Sequence, residues 1–273
     1  MDLGKRLSKV ASLILPAETL ADVGCDHGYL SIYLVEKALC RRVIAMDVNK
    51  GPLQKARENV RKYGYDEYIE TRLSNGLNQL KQDEAEGYVC AGMGGPLALQ
   101  ILWNDRDKVS AMRQIILQPQ SELWLVRRTL KQWGFVVEQE EIEYEDGKYY
   151  FMMRIRPGAD LCMDVPLNED ATLFDDIGRC DATKAGDKAT ADGNGRMSEE
   201  GLKHYAYELF AKELLDNKNT LLCEFIRKEE ERLCKIYDSL CVQEESDKCR
   251  ARKETVEKEL AIHRWALSQF GVE

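Results

Sequence analysis

Acidic side chains and glycines alternate at residues 22–28, where the sequence reads DVGCDHG. An apolar run precedes this stretch and the apolar letters YLSIYL follow it, so the pattern indicates a bend between a strand and a helix. A dinucleotide-binding fingerprint that begins at Gly24 would need two further glycines where Asp26 and Tyr29 stand. Gly24 and Gly28 still favour a backbone that a ligand can approach closely, because neither carries a Cβ atom. A purely structural bend is the alternative.

Polar residues also follow the next three strand-like runs. Asp47 ends the run RRVIAMDV, 25 residues after Asp22, where a carboxylate can accept hydrogen bonds from both hydroxyls of an adenosine ribose. Asn75 follows the third run, where its amide can reach an adenine edge, and the glycine-rich AGMGGPL follows the fourth run. Because the carboxyl ends of parallel strands share one edge of a sheet, we expect these groups to converge on one ligand. The predicted ligand-binding residues are Asp22, Gly24, His27, Gly28, Asp47, Val48, Asn75, Gly76, Ala91, Gly92 and Met93.

The elements that must position these residues alternate between strand and helix. The helical segments are amphipathic, as in GPLQKARENVRKYG, where Leu53, Ala56 and Val60 share one face. This alternation predicts an α/β fold with a doubly wound, Rossmann-like parallel sheet. Two further strands flank the tight turn at Asp146 and Gly147, which predicts an antiparallel hairpin at the end of the sheet. The strand-like runs of the parallel part lie near 19–23, 42–48, 68–73, 87–91 and 113–118.

The second part of the chain differs in charge and composition. Residues 1–157 carry 22 Lys and Arg against 22 Asp and Glu, whereas 17 face 26 in residues 158–273. Residues 159–198 are rich in Asp, Gly and Ala and poor in apolar residues, which is typical of a linker or a disordered insertion. We therefore predict a first domain at 1–158 and a C-terminal domain at 199–273.

The C-terminal domain has the pattern of a helical hairpin. Apolar residues recur at alternating three- and four-residue steps in two segments, with the polar letters QEESD between them. This pattern predicts two antiparallel helices that pack like a coiled coil, with His263 as a packed seam residue rather than a ligand. The seam positions are Leu222, Ile226, Leu233, Ile236 and Leu240 in the first helix and Val256, Leu260, His263, Leu267 and Phe270 in the second.

Several classes of protein are not expected from this sequence. The nine cysteines form no C-x-x-C pair and no cluster at metal-ligand spacing, so we expect reduced thiols and no bound metal. The apolar run at residues 10–15 stops at Pro16 and is too short for a signal peptide or a membrane span. We expect a cytoplasmic protein that does not bind membranes. The sequence does not decide the oligomeric state, although a monomer is favoured.

With these motifs the sequence resembles the bacterial tRNA (adenine-N1)-methyltransferases called TrmK, which modify the adenine at tRNA position 22, in the D-arm. The resemblance covers nearly all of residues 3–157, through LADVGCDHGYLSIYL, AMDVNKGPLQKARENV, RLSNGL, AGMGGPLALQIL and ILQPQ. It implies a class I methyltransferase fold with a coiled-coil-like C-terminal domain, S-adenosylmethionine as cofactor and tRNA as partner. The sequence departs from the family pattern at Gly28, where alanine is favoured, at Gln120, where asparagine is favoured, and in the insertion at 160–198.

The implied reaction needs little proton chemistry, because adenine N1 attacks the methyl group with a ring lone pair. Positioning then provides most of the rate. The loop after the fourth strand offers mostly backbone, so we predict that Asp26 orients the exocyclic amine and offsets the charge that develops on the base. Gln120 is the predicted contact to the base. His27 could act as a base, but we expect it to contact the cofactor or brace the loop.

Two other functions stay open at this point. The chain could methylate a small molecule or a protein, or it could be a catalytically idle module with this fold that binds RNA. The net charge of −9 does not favour a polyanionic partner, because phosphate neutralisation normally dominates nucleic-acid affinity. The family resemblance, rather than the charge pattern, therefore supports tRNA as the partner.

Overall fold

The computed structural model describes residues 1–168, 171–174, 197–242 and 246–271. The chain divides into two compact units, Met1–Glu169 and Asp170–Glu273. Most of the predicted linker at 159–198 lies outside the described residues.

One seven-stranded sheet lies at the centre of the first unit. Its strands are β1 (Ala17–Val23), β2 (Cys40–Asp47), β3 (Ile69–Leu73), β4 (Gly87–Met93), β5 (Gln114–Pro119), β6 (Phe135–Glu145) and β7 (Lys148–Pro157). The strand order is β3-β2-β1-β4-β5-β7-β6. Strands β1 to β5 are parallel, and β7 runs antiparallel to both β5 and β6. The predicted doubly wound sheet with a terminal antiparallel hairpin is confirmed, and each predicted strand boundary lies within two residues of the observed one.

Helices cover the sheet and return the chain to its starting edge. They are α1 (Gly4–Ser12), α2 (Tyr29–Glu36), α3 (Lys50–Lys62), α4 (Gly95–Asn104), α5 (Arg106–Val109) and α6 (Leu123–Trp133). The predicted apolar face of α3 is buried, and α2 is apolar almost all round and lies deep in the core. The strand order reverses between β1 and β4, so the connections that leave these two strands open a crevice at the carboxyl edge of the sheet.

The segment after β7 continues to pack on the first unit. The Cys162 N–H donates to the Trp133 carbonyl at 2.9 Å, and the Trp133 indole N–H donates to the Val165 carbonyl at 2.8 Å. Met163 is buried as well. The first residues of the predicted linker therefore have fixed contacts with α6 despite their polar composition.

The second unit is helical, with α7 (Glu199–Phe210), α8 (Lys212–Asp216), α9 (Thr220–Cys241) and α10 (Asp247–Gln269). The side chains of Leu233, Val256 and Leu260 form the buried contact between α9 and α10. The two helices run antiparallel, because Tyr237 of α9 bonds Glu257 whereas the earlier Glu230 bonds the later Arg264. The two predicted C-terminal helices are thus confirmed, and their coiled-coil geometry stays a prediction.

His263 lies inside this helical unit, as expected from its seam position. It is only 5% exposed, its ring packs edge-on against Phe210 at 4.9 Å, and its Nδ1 atom lies 2.7 Å from the Glu259 carbonyl. Burial lowers the pKa of the His263 imidazole below its usual value. The residue therefore contributes packing as a neutral ring.

Neither a membrane-spanning helix nor a metal-binding cluster is found among the residues that the structure describes. Among the described helices, none combines the length and the apolar character that crossing a membrane requires. In the same residues, no group of three or more His, Cys, Asp or Glu side chains is arranged to hold a metal ion.

Candidate functional site

The bend at residues 22–28 leaves β1 and turns sharply at the carboxyl edge of the sheet. The N–H groups of Gly24 and Cys25 both donate to the Met46 carbonyl, at 2.8 and 3.0 Å, which binds the bend to β2. Three residues have left-handed backbone angles, with φ of 75° at Gly24, 46° at Asp26 and 73° at Gly28. Glycine adopts this region without strain, and aspartate tolerates it better than most residues. The local sequence is therefore suited to this turn.

The glycines of the bend make room for protein atoms. A Cβ atom on Gly24 would lie 2.4 Å from the methyl carbon of Met93, the last residue of β4. A Cβ atom on Gly28 would lie 3.1 Å from that of Ala56 in α3. The sequence led us to expect room for a ligand at both positions. The close neighbours are instead two other parts of the fold, and they bring the bend together with α3 and the end of β4.

Asp47 joins three connections at this edge. Its Oδ2 atom accepts the N–H of Asp26 at 3.3 Å, and its Oδ1 atom accepts the N–H of Asn49 at 2.7 Å. Its backbone carbonyl accepts the N–H of Ser74 at 2.9 Å. A carboxylate has about four lone-pair sites, so Asp47 keeps acceptor capacity for a ligand after making these bonds. The side chain has this capacity at the position where the sequence spacing predicted it.

Asp22 is buried beneath the bend and bonds Ser31, whose hydroxyl donates to Oδ2 at 2.5 Å and whose backbone also hydrogen-bonds the carboxylate. Burial raises the pKa of Asp22 from 3.8 to about 6, with a smaller contribution from the nearby Asp47 charge, and the Ser31 hydrogen bond opposes the rise. Two carboxylates therefore lie close together where water cannot fully solvate them. Such a pair favours a ligand that brings hydroxyl donors or positive charge.

The end of β3 lies next to this carboxylate pair through Ser74. The Ser74 hydroxyl donates to the Gly76 carbonyl at 2.8 Å, which closes the turn after the strand. Gly76 has a φ of 55°, and a Cβ atom there would lie 3.1 Å from Ile101. Asn75 and Val48 are both exposed at the rim, with Val48 at 59%. Their side chains have room to contact a ligand.

The end of β4 has exposed backbone at the same edge, in the segment from which the sequence predicted a backbone contribution. The pairing of β4 with β5 shifts register between Ala91 and Met93, and Gly92 in between is exposed with a φ of 86°. The Gln120 N–H donates to the Met93 carbonyl at 2.8 Å, and Gln120 Nε2 lies 3.6 Å from where a Cβ atom on Gly92 would stand. Gln120 and the exposed backbone of Gly92 are therefore neighbours.

Asp26 and His27 lie on the outer side of the bend. The Asp26 side chain is 69% exposed, and its Oδ1 atom is 3.6 Å from His27 Nε2. The His27 ring stacks on Tyr29 with the ring centroids 5.9 Å apart, and Asn59 donates to the His27 carbonyl at 2.9 Å. Asp26 is thus an accessible carboxylate on a braced turn, and His27 has contacts that suit the bracing role.

Two residues at this edge, Arg6 and Ser31, were not predicted as site residues. Arg6 of α1 donates from Nη1 to Gln118 Oε1 at 2.7 Å, and its guanidinium carbon lies 5.4 Å from the centre of the Tyr150 ring. Arg6 and Gln118 are 112 residues apart in the sequence, so no local pattern could relate them. Ser31 was also missed, although a single hydroxyl in the apolar run YLSIYL could have indicated a buried partner.

Comparison with known proteins places the chain in a family. Residues 3–153, more than half of the chain, match the model of a family described as a methyltransferase domain. The chain belongs to this methyltransferase family. Over 158 residues, this methyltransferase is 35% identical to the tRNA (adenine(22)-N(1))-methyltransferase of Bacillus subtilis. That alignment covers 58% of the chain and 66% of the relative, slightly under two thirds of its length.

Solved structures resemble this methyltransferase over almost its whole length. The crystal structure of the B. subtilis m1A22 tRNA methyltransferase TrmK matches with a TM-score of 0.75 at 25% identity, covering 97% of this chain and 99% of that one. A putative tRNA (m1A22) methyltransferase of Streptococcus pneumoniae, solved in complex with S-adenosyl-L-methionine, matches with a TM-score of 0.73 at 25% identity. That match covers 97% of this chain and 100% of the S. pneumoniae chain.

The raised pKa of Asp22 makes the stability of the protein depend on pH. Below about pH 4 both the folded and the unfolded state hold the proton, whereas between pH 4 and 6 only the unfolded state loses it readily. Once the pH exceeds the pKa of Asp22 in the folded state, this difference lowers the free energy of unfolding by on the order of 3 kcal/mol. Asparagine cannot ionise. We therefore expect the unfolding free energy of the wild type, relative to the Asp22→Asn variant, to fall by this amount between pH 4 and pH 7 in urea titrations; a pH-independent difference would contradict it.

Proposed function

We propose that this protein is an S-adenosylmethionine-dependent methyltransferase that transfers a methyl group to N1 of an adenine in the D-arm of tRNA, at tRNA position 22. The observation that carries the proposal is the continuous likeness to m1A22 enzymes, at 35% identity in the methyltransferase domain and across 97% of the chain in structure. The carboxylates and the exposed backbone at the carboxyl edge of the sheet support the same chemistry.

The residues at this edge fit the proposed cofactor. S-adenosylmethionine, when bound, supplies a methyl group on a positively charged sulfur. Asp47 would accept hydrogen bonds from the ribose hydroxyls, because its oxygens are held in place and keep free lone pairs. Asp22, whose ionisation is disfavoured by burial, would be stabilised as a carboxylate by a positive charge nearby. The same ligand would therefore bond the Asp47 oxygens and stabilise the Asp22 carboxylate.

The proposed binding set follows the edge of the sheet. Asp22, Gly24, His27 and Gly28 would line one end of the cofactor on the first bend. Its adenosine end would lie along the rim formed by Asp47, Val48, Asn75 and Gly76. The backbone of Ala91, Gly92 and Met93, which is exposed at Gly92, would close the side that faces the target base.

Asp26 is the proposed catalytic carboxylate. Its side chain is mostly exposed, and its backbone N–H is fixed to Asp47, so the group is held in place yet open to a substrate. It would accept a hydrogen bond from the exocyclic amine of adenine and offset the positive charge that develops on the ring. Gln120, beside Gly92, would contact the same base. Attack by the N1 lone pair then requires alignment and exclusion of water more than proton transfer.

The acidic net charge is compatible with RNA as the partner. The deficit of positive charge lies beyond residue 157, and the part that carries the site has equal numbers of basic and acidic residues. Local fields rather than the average charge determine where a polyanion can approach. We therefore propose tRNA as the partner and a protein that works without a metal or a membrane, in the cytoplasm.

The proposal is tested by incubating the protein with labelled S-adenosylmethionine and unmodified tRNA transcripts. Mass spectrometry of the digested RNA should identify 1-methyladenosine in the D-arm. A transcript with guanine in place of the target adenine is the matched control and should take up no label. Transfer to a metabolite or a protein would support the other enzymatic function, and tRNA binding without transfer would support the idle module.

Replacement of Asp47 tests the proposed ribose contact. We expect Asp47→Ala to weaken S-adenosylmethionine binding by about ten-fold or more in calorimetry, because charge-assisted hydrogen bonds are lost. Asp66→Ala removes an exposed acid in the connection between α3 and β3 and serves as the control, with unchanged affinity. Equal affinities in both variants would count against the ribose role of Asp47.

Replacement of Asp26 separates catalysis from cofactor binding. Asparagine tolerates the same left-handed backbone, so Asp26→Asn should keep the turn while reducing the methylation rate by about 100-fold or more, with S-adenosylmethionine affinity nearly unchanged. Asp83→Asn is the matched control, since Asp83 is an exposed aspartate with a φ of 59°. An Asp26→Asn enzyme with a wild-type single-turnover rate would exclude Asp26 from the mechanism.

A further inference from the structure

Arg6 is held in a fixed position at the edge of the candidate site. One guanidinium nitrogen donates to Gln118, whose side chain is completely buried, and the guanidinium lies over the face of Tyr150. A hydrogen bond to a buried amide together with an aromatic face restricts the rotation of a long side chain. Arg6 is therefore already ordered before any substrate arrives.

The Arg6 guanidinium has a different kind of partner from three other arginines of the first unit. Arg72, Arg127 and Arg154 each form an ion pair with a glutamate, at 2.8 to 3.2 Å. No such pair involves the Arg6 guanidinium within the described part of the chain. The side chain of Glu145 accepts the backbone N–H groups of Lys5 and Arg6 at the start of α1. Among the described residues, the Arg6 guanidinium thus bonds a neutral amide instead of a carboxylate.

The Arg6 guanidinium also points to the part of the site that a target base would occupy. Arg6 Nη1 lies 3.9 Å from where a Cβ atom on Gly92 would stand, and Gln120 Nε2 lies 3.6 Å from the same point. Arg6 and Gln120 therefore flank the exposed Gly92 backbone. A guanidinium has five N–H donors in a planar fork, so most of them are available for an oxygen-rich anion beside this loop.

We propose that Arg6 binds a backbone phosphate of the RNA that flanks the target adenosine, and so places the base between Gln120 and the proposed cofactor. This inference rests on the proposed function. An enzyme that modifies a base edge must turn that nucleotide out of its stack, which brings the phosphates on either side of it to the mouth of the pocket. A fixed, unneutralised guanidinium at that mouth recognises a phosphate by two parallel hydrogen bonds.

Changes in the protein give the first part of the test. Arg6→Ala should lower kcat/KM for tRNA by ten-fold or more, while calorimetry gives an unchanged affinity for S-adenosylmethionine, which also verifies folding. Arg6→Lys should recover only part of the loss, because an ammonium cannot bond Gln118 and grip a phosphate with a planar fork. Arg61→Ala, which removes an exposed arginine from the last turn of α3, is the control and should leave both quantities unchanged.

A change in the RNA gives the second part. A tRNA ligated from synthetic halves can carry a neutral methylphosphonate at the phosphate on the 5′ or the 3′ side of the target adenosine. At one of these two positions the wild type should lose ten-fold or more in kcat/KM, and the Arg6→Ala variant should lose less than three-fold further. If the fold loss from the methylphosphonate and the fold loss from Arg6→Ala multiply fully at both positions, the proposal is overturned. An Arg6→Ala variant with wild-type kcat/KM would overturn it as well.

Filter binding of the same RNAs distinguishes failure of this inference from failure of the proposed function. If the wild type binds tRNA without methylating it, the proposed function fails, and the same non-additive pattern in binding affinity would still support Arg6 as a phosphate contact. If the wild type methylates its tRNA and Arg6→Ala weakens S-adenosylmethionine binding as much as it lowers kcat/KM, Arg6 acts through the cofactor site and the inference is wrong. A wild type that neither binds nor methylates tRNA would overturn both.

Discussion

The Asp47 carboxylate is the contact on which the geometry of the site depends. Its two oxygens accept backbone N–H groups from Asp26 and Asn49, and its carbonyl accepts that of Ser74, so one residue joins the connections after β1, β2 and β3. In each bond a backbone N–H group donates to a buried residue, which gives three loop donors a fixed acceptor within the protein. The loops therefore hold their relative positions without a ligand, and the same side chain can still accept hydrogen bonds from one.

The burial of acids at this edge relates stability to the proposed function. Asp22 lies in the core, and desolvation together with the charge of Asp47 makes its ionisation costly. A protein selected only for stability would favour an apolar residue there, because the burial of an ionised carboxylate destabilises the folded state. Under the proposed function, a cationic cofactor at the bend would offset this cost. The two carboxylates are then a destabilising pair that the proposed ligand would stabilise.

Much of the fold follows from local patterns, and part of the site does not. The strand positions, the helix face with Leu53 and Ala56, and the place of Asp47 can be predicted because each depends on periodicity or spacing over short distances. The neighbours of the glycines cannot. Gly24 accommodates Met93, and the Arg6 contact joins the first helix to β5, so both depend on how distant segments meet. The roles that the sequence assigned to these residues stay predictions.

The central claim is that Asp47 and the first bend hold the two ends of one nucleoside. A crystal structure of the protein with S-adenosylhomocysteine tests it most directly. The account predicts that both ribose hydroxyls lie about 3 Å from the Asp47 carboxylate, with the homocysteine end along the bend at Gly24. A nucleoside bound elsewhere, or one whose ribose does not contact Asp47, would contradict the account.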